Sequence, residues 1–470
     1  MKTLLVSIGL FLSILTGYSQ KIIFLENQSQ YELFKAKESK VKETEEMKKG
    51  IWRNNSRLLK LIQMGFLKEK GISGYEDEVS LFYRANVTAE NKIDSIYYFL
   101  GKHNISKVGE KTTFDFEYQP VRKETDIIVF NRIIENALLK NKLFFEPYQK
   151  HEFSGGVRIN QYKSKNQGLQ KSAVDFLASQ SDSLKVLKLV GFGLKELPEG
   201  LNRFKNITEL DLSKNEFESF KFNPKDFPKL KRIVLSENLL SEKSIKIKRN
   251  RQIELLNLSD NDLFIFPKKI QRNRNLKDLH LANNFLSDSK NMNFKKFKNL
   301  ELLNFYNNQI DELPESISKL QNLQILDLYH NDLRFLPNSF IELKKLQTLA
   351  ISNNRLWQLP AGFEKLDSLK VLFAHHNKFT SLAALPSNLE HLDLGFNLLE
   401  DIPQCFSNLQ KVDELDISNN KIKSGAEILQ GMKSLEKVYL ALNNFDEDPK
   451  KFAELQQIIV DLEKKSVVVK

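Results

Sequence analysis

The sequence predicts an α/β repeat solenoid, a curved horseshoe lined by a parallel inner sheet, with a small α+β domain ahead of it. Three observations predict this. From Leu184 onward a leucine pattern recurs about every 23 residues, each unit holds an L-x-L pair at strand spacing, and residues 21–165 show no such period.

The units align on an L-x-x-L-x-L-x-x-N-x-L frame: Leu210, Leu212, Asn215 and Phe217, then Ile233, Leu235, Asn238 and Leu240. The asparagine returns as Asn261, Asn284, Asn308, Asn331, Asn354, Asn377, Asn397, Asn420 and Asn443, always 23 residues apart save for one gap of 24 and one of 20. An earlier unit, Leu184, Leu187, Leu189 and Leu194, fits the frame but has Phe192 in place of Asn, which brings the count to about twelve over residues 184–446. In L-x-L the two leucines face one side and the residue between them the other. A lone strand of this kind cannot bury its leucines, so units must stack, about 4.8 Å apart. The Asn sits where the strand ends, and its amide can satisfy turn backbone groups that would otherwise be buried without partners. An apolar-Pro pair then recurs, as in Leu313-Pro314, Leu336-Pro337 and Ile402-Pro403, and proline there stops the strand and turns the chain outward.

This pattern resembles the leucine-rich repeat family, in its 23-residue bacterial form. The resemblance implies a leucine-rich-repeat solenoid that binds a protein through its concave face. It does not choose the partner.

The ends of such an array need lids. Residues 166–183, with Leu169, Ala173, Phe176 and Leu177 at helical spacing, are expected to cap the start. Residues 447–470 are expected to give a closing helix after Pro449, with Phe452, Leu455, Ile459 and Leu462 inward, then a last strand at Val467–Val469. Between Asn377 and Asn397 the return segment is too brief for a full helical turn. The third and fifth units lack the proline, so their outer segments carry less information.

Residues 1–19 read as a secretory signal peptide: Lys2, an apolar run from Leu4 to Leu15, and small residues Gly17 and Ser19. The mature chain is expected to be exported, to the periplasm, the cell surface or the medium, with no transmembrane segment. Residues 20–50, rich in Lys and Glu, read as a charged helix or linker. Within residues 51–165, Leu58, Leu61, Ile62 and Phe66 suit a helix, Val79–Val87 a strand, Thr88–Leu100 a helix, and Thr112–Tyr118 a strand. A further helix is expected near Asp126, using Phe130, Ile134, Ala137 and Leu138. His151 and Glu152, before Gly155-Gly156, read as a solvated polar turn.

Chemistry leaves few marks. The single cysteine, Cys405, excludes a disulfide framework and a multi-cysteine zinc site, and reads as a structural thiol. No phosphate-loop, dinucleotide, zincin or nucleophile-elbow motif is present, so no catalytic residue, cofactor or metal is assigned. Of the net charge of +11, residues 1–180 hold +7, a diffuse excess without the clustering that nucleic acid requires. What stands out is the outward side of the inner sheet. Early units place small or polar residues there, whereas later ones place Tyr306, Tyr329, His330, Phe373, His375, His376, Phe396 and Tyr439. Five of the seven histidines (His280, His330, His375, His376 and His391) share this surface. Exposed aromatics on a rigid sheet can anchor a protein, peptide or glycan, or can stack upon one another as a ladder. The expected function is therefore a non-catalytic recognition module. The alternative is an envelope enzyme or sensor in residues 21–165, with the repeats as a docking scaffold.

Overall fold

The computed structural model describes residues 21–24, 79–87, 93–108, 111–119, 130, 133, 134, 151–158 and 169–470 except 288, 290 and 291. The chain divides into two compact units, residues 1–167 and 168–470.

The first unit holds a five-stranded sheet of β1 (Lys21–Phe24), β2 (Val79–Val87), β3 (Ile93–Val108), β4 (Lys111–Gln119) and β5 (His151–Arg158). Its order is β1-β3-β2-β5, with β4 also pairing β3, and only β1 runs parallel to its neighbour. Leu81, Tyr98, Phe130 and Ile134 are fully buried, and the Phe130 ring meets Tyr98 edge-on at 6.3 Å. Three expectations are corrected here. The helix read over Thr88–Leu100 is strand from Ile93 onward: its Ile-Tyr-Tyr-Phe run is rich in β-formers, and pairing along both edges overrides the helical spacing. His151 and Glu152 lie not in a turn but in β5, where Gly155 and Gly156 stand opposite Tyr83 and Phe82. Lys21–Phe24, placed in the charged segment, is strand as well. The signal segment, the helix at Leu58–Phe66 and residues Ala137 and Leu138 lie outside the described residues.

The second unit is a solenoid of stacked repeats. Its sheet has thirteen parallel strands in strict chain order, from Val186–Lys188 to Val468–Val469. Each repeat strand is three residues long and pairs in constant register, so that Leu303, Leu326, Leu349 and Leu372 stand in one row. These leucines are wholly excluded from solvent. Burying a leucine is worth roughly 1.5–3 kcal/mol, and every unit repeats the gain against its neighbours.

At four apolar-Pro pairs the proline caps a short 3-10 helix: Pro267 before Lys268–Arg272, Pro314 before Glu315–Lys319, Pro337 before Asn338–Glu342, Pro403 before Gln404–Asn408; after Pro198 and Pro360 the cap is Gly200 or Gly362 instead. The apolar residues of those turns, Ile317, Phe340 and Phe406, are buried behind the sheet. The second and third repeats, with Phe220-Lys221 and Lys243-Ser244 in place of apolar-Pro, solve the problem differently. Phe220–Phe222 and Ile245–Ile247 pair as a second, two-stranded parallel sheet, and Phe217, Phe220, Phe222 and Phe227 form a run of ring contacts at 5.2–6.1 Å. In the short unit, residues 380–388 contain no helix and Leu382, Leu385 and Pro386 fill the space.

Helix α1 (Leu169–Ser179) packs Ala173 and Leu177 on the first repeat of the array, and Arg203 donates to the Leu177 and Gln180 carbonyls at its C-terminal end. Helix α2 (Pro449–Lys464) starts at Asp448, whose carboxylate accepts from the Lys450 N–H. It buries Leu455, Ile458 and Leu462. Phe452, expected inward, is exposed: one turn from the start, it lies beyond the reach of the last repeat.

Asn331 shows what joins one unit to the next. Its side chain donates to the carbonyls of Phe305 in the preceding unit, at 2.9 Å, and of Leu328, at 3.1 Å, and accepts from the Ile310 N–H at 3.0 Å. The same set recurs from Asn215 to Asn443. Replacing fully buried Asn331 by Ala orphans these groups and is expected to cost about 3 kcal/mol in urea unfolding. The same change at half-buried Asn443, in the last unit, is expected to cost less than half as much.

Candidate functional site

Each repeat presents four residues outward: the first and third of its strand, and the two that precede the ladder asparagine. In the strand Ile325–Asp327 these are Ile325, Asp327, Tyr329 and His330. The last of the four has positive φ in every unit with a ladder asparagine, from 51° at Asn307 to 59° at Leu442. That left-handed conformation is cheap for Asp260, Asn283, Asn307, Asn353 and Asn419, whereas for Phe396 and Leu442 it costs about 1–2 kcal/mol. Hydrogen bonds hold it in place. The N–H of Phe396 donates to the Ser418 carbonyl of the next unit, and that of His376 to the Gly395 carbonyl.

Six of the sequence-singled aromatics come together in one strip across units. The rings of Tyr306 and Tyr329 stack at 5.5 Å, only 3° from parallel. Tyr329 meets His330 edge-on at 4.3 Å and His375 at 5.5 Å; His375 meets His376 at 5.3 Å, and His376 meets Phe396 at 4.1 Å. The strip is thus a ladder along the array, and it ends in Phe396, still 44 % exposed. The other two aromatics stand apart. Phe373 packs on His391 at 5.1 Å, while Tyr439 carries Lys437 over its ring at 4.7 Å.

Beneath the strip runs a row that the sequence reading passed over. The third strand residue is often Asp or Asn, and its side-chain oxygen accepts from the N–H two residues on: Asn304 from Tyr306, Asp327 from Tyr329, Asp393 from Gly395, Asp416 from Ser418. This Asx turn sets the backbone that aims the ring. The recurring L-[DN]-L was the available signal. Burial pushes the Asp327 carboxyl above its ordinary pKa, opposed by the Tyr329 N–H, and pushes the Tyr329 phenol up as well, helped by Tyr306 and the carboxylates of Asp393 and Asp327. At neutral pH the Tyr329 hydroxyl therefore keeps its proton.

His375 Nδ1 lies 2.6 Å from Asp393 Oδ2 and 3.0 Å from the hydroxyl of fully buried Ser352. A hydrolytic triad needs serine and carboxylate on opposite ring nitrogens. Here both meet the same nitrogen, so the contacts fix the ring instead of relaying a proton. Gly395 lets the neighbouring strand approach closely; a Cβ there would fall 3.1 Å from Asp416 Oδ1. Cys405 lies outside this face, half-buried, with its thiol pKa pushed up to about 11 by burial, so at neutral pH it stays protonated and weakly nucleophilic. Among the described residues, no group of three or more His, Cys, Asp or Glu converges to hold a metal, and no helix is long and apolar enough to cross a membrane.

The family profile described as a leucine-rich repeat region matches residues 265–460. No curated protein matches the chain. Among solved structures, a leucine-rich repeat protein of Leptospira interrogans is 21 % identical, with 63 % of this chain and 98 % of that one covered and a TM-score of 0.34. An internalin of Listeria monocytogenes is 18 % identical, covering 62 % and 93 %, with a TM-score of 0.45. YopM, a leucine-rich effector of Yersinia pestis, is 24 % identical, covering 60 % and 85 %, with a TM-score of 0.43.

Two outcomes are expected from this geometry. Phe396→Asn relieves the left-handed strain and should raise stability by about 0.5–1 kcal/mol in chemical unfolding. For His280, burial first, and then Arg232, depress the pKa below its ordinary value, against the pull of Asp278. The unfolded state then binds its proton more readily, so stability present above about pH 6.5 is lost as pH falls through that value. His280→Gln should reduce the drop in thermal midpoint between about pH 7.5 and about pH 5.

Proposed function

The repeat array of this chain belongs to the leucine-rich repeat family, and on that premise we propose a non-catalytic recognition module that holds a protein partner on its concave sheet. The observation that carries this reading is the aromatic strip from Tyr306 to Phe396, set on the outward side of a rigid sheet. Phe396 is the sharpest part of it. A large apolar side chain is kept exposed at a strained backbone position where five other units use Asn or Asp, and strain retained at a surface is a mark of function. Ring stacking along the strip supports binding as well, because rings already ordered lose little entropy when a partner settles on them. The clamp on His375 serves the same end.

Export completes the proposal. The leader-like residues 1–19 would direct the chain out of a bacterial cytoplasm to the periplasm, the cell surface or the medium, where a disulfide-free array relies on its long core. There the concave face would meet its protein or peptide.

The test uses the full chain to capture its partner from native envelope and culture fluid. The triple variant Tyr329→Ala, His376→Ala, Phe396→Ala should lose at least 2 kcal/mol of affinity, about 30-fold, with a nearly unchanged thermal midpoint. Undiminished capture by the triple variant would remove the concave face as the binding surface.

A further inference from the structure

The charge on the concave face runs against that of the chain. The protein has 71 Lys and Arg and a net charge of +11. Yet from the strand Leu255–Asn257 to the strand Glu414–Asp416, the four outward positions of every unit hold no Lys or Arg at all. They hold six carboxylates: Asp260, Asp278, Asp327, Asp393, Glu414 and Asp416. Three cations that flank the floor are each paired with a carboxylate: Lys277 with Glu254, Lys370 with Glu390, Arg355 with Asp332. The trough floor is thus acidic, and it is the same floor that carries the aromatic strip.

The structure also displays what this combination does to a cation. At the end of the trough Lys437 places its ammonium 3.1 Å from the Glu414 carboxylate and 4.7 Å from the centre of the Tyr439 ring. Carboxylate on one side and ring on the other is a favourable setting for an ammonium or guanidinium group. In the same strand as Glu414, Asp416 draws its hydrogen bonds from neutral donors, the Ser418 N–H and hydroxyl, and four strands away Asp327 draws one from the Tyr329 N–H. Both stand in the same sheet as the rings of Tyr329 and Phe396.

We propose that the concave trough between Leu255 and Asp416 takes an extended polypeptide segment rich in Lys and Arg, its cations set between the floor carboxylates and the aromatic strip. This deepens the recognition reading and rests on it. Strands about 4.8 Å apart make the acidic stretch about 34 Å long, the reach of roughly ten extended residues. An acidic polypeptide or a nucleic-acid backbone would be repelled by the same floor.

Three labelled peptides of about this length test it against the full chain: an Arg/Lys–Ser peptide, its Glu–Ser counterpart and a Gly–Ser peptide. The basic peptide should bind, and its affinity should fall about tenfold or more as ionic strength rises from about 0.05 M to about 0.5 M. The variant Asp327→Asn, Asp393→Asn, Asp416→Asn should weaken binding about tenfold or more, since carboxylate partners of a cation are worth most where water is reduced. That variant keeps the turn bonds, because Asn257 and Asn304 make the same bond in their own units. Glu315→Gln with Glu342→Gln and Glu364→Gln, on the outer 3-10 turns, is the charge-matched control and should bind as the parent does. Equal or tighter binding of the acidic or neutral peptide, an unaffected triple variant, or no binding of the basic peptide each overturns the proposal. The concave recognition reading is judged separately, by partner capture with the alanine variant.

Discussion

The buried side-chain amide that closes each turn is the interaction on which the rest of this structure depends. A strand of three residues makes too few hydrogen bonds to define a direction, and leucine packing is indifferent to small slips. The ladder asparagine is not indifferent. Its donors and acceptor reach both its own turn and the unit before, so each unit is locked to its neighbour at one spacing and one register. Left-handed backbone at the preceding residue goes with it: that turn brings the amide inward while the left-handed residue's own N–H donates to the following unit. The concave surface inherits its regularity from this bond.

That regularity explains which parts were legible in the sequence. The asparagine period, the leucine rows, the proline that opens four of the 3-10 turns and the brief return after Asn377 are all dictated locally, and each can be read from its own unit. The pairing of Phe220–Phe222 with Ile245–Ile247 could not be read so, since it joins two units whose outer segments carry different residues. In the N-terminal unit, Ile93, Ile96, Tyr97 and Leu100 are spaced for a helix, yet β2 on one edge and β1 on the other make that segment a strand. The information lay in the neighbours and not in the segment.

The candidate site shows the same division. The aromatics were visible as residues of unusual type at outward positions, but not that Tyr439 stands apart with Lys437, nor that Phe373 turns to His391. The Asp and Asn row beneath the rings was hidden by its plainness, since a polar residue between two strand leucines reads as solvated surface. In the structure it caps turns, clamps His375 and gives a basic protein an acidic floor. A single row of side chains therefore serves folding and charge at once.

The two lids have a consequence beyond covering apolar surface. A stack whose units present the same strand at both faces has no intrinsic length, and two unlidded copies would continue one another as readily as two of its own units do. Helix α1 at one end, and at the other α2 with Val468–Val469, whose neighbour Lys470 accepts from the Leu440 N–H, replace those faces with surfaces that match no repeat. They turn what would be a growing filament into an object of fixed size.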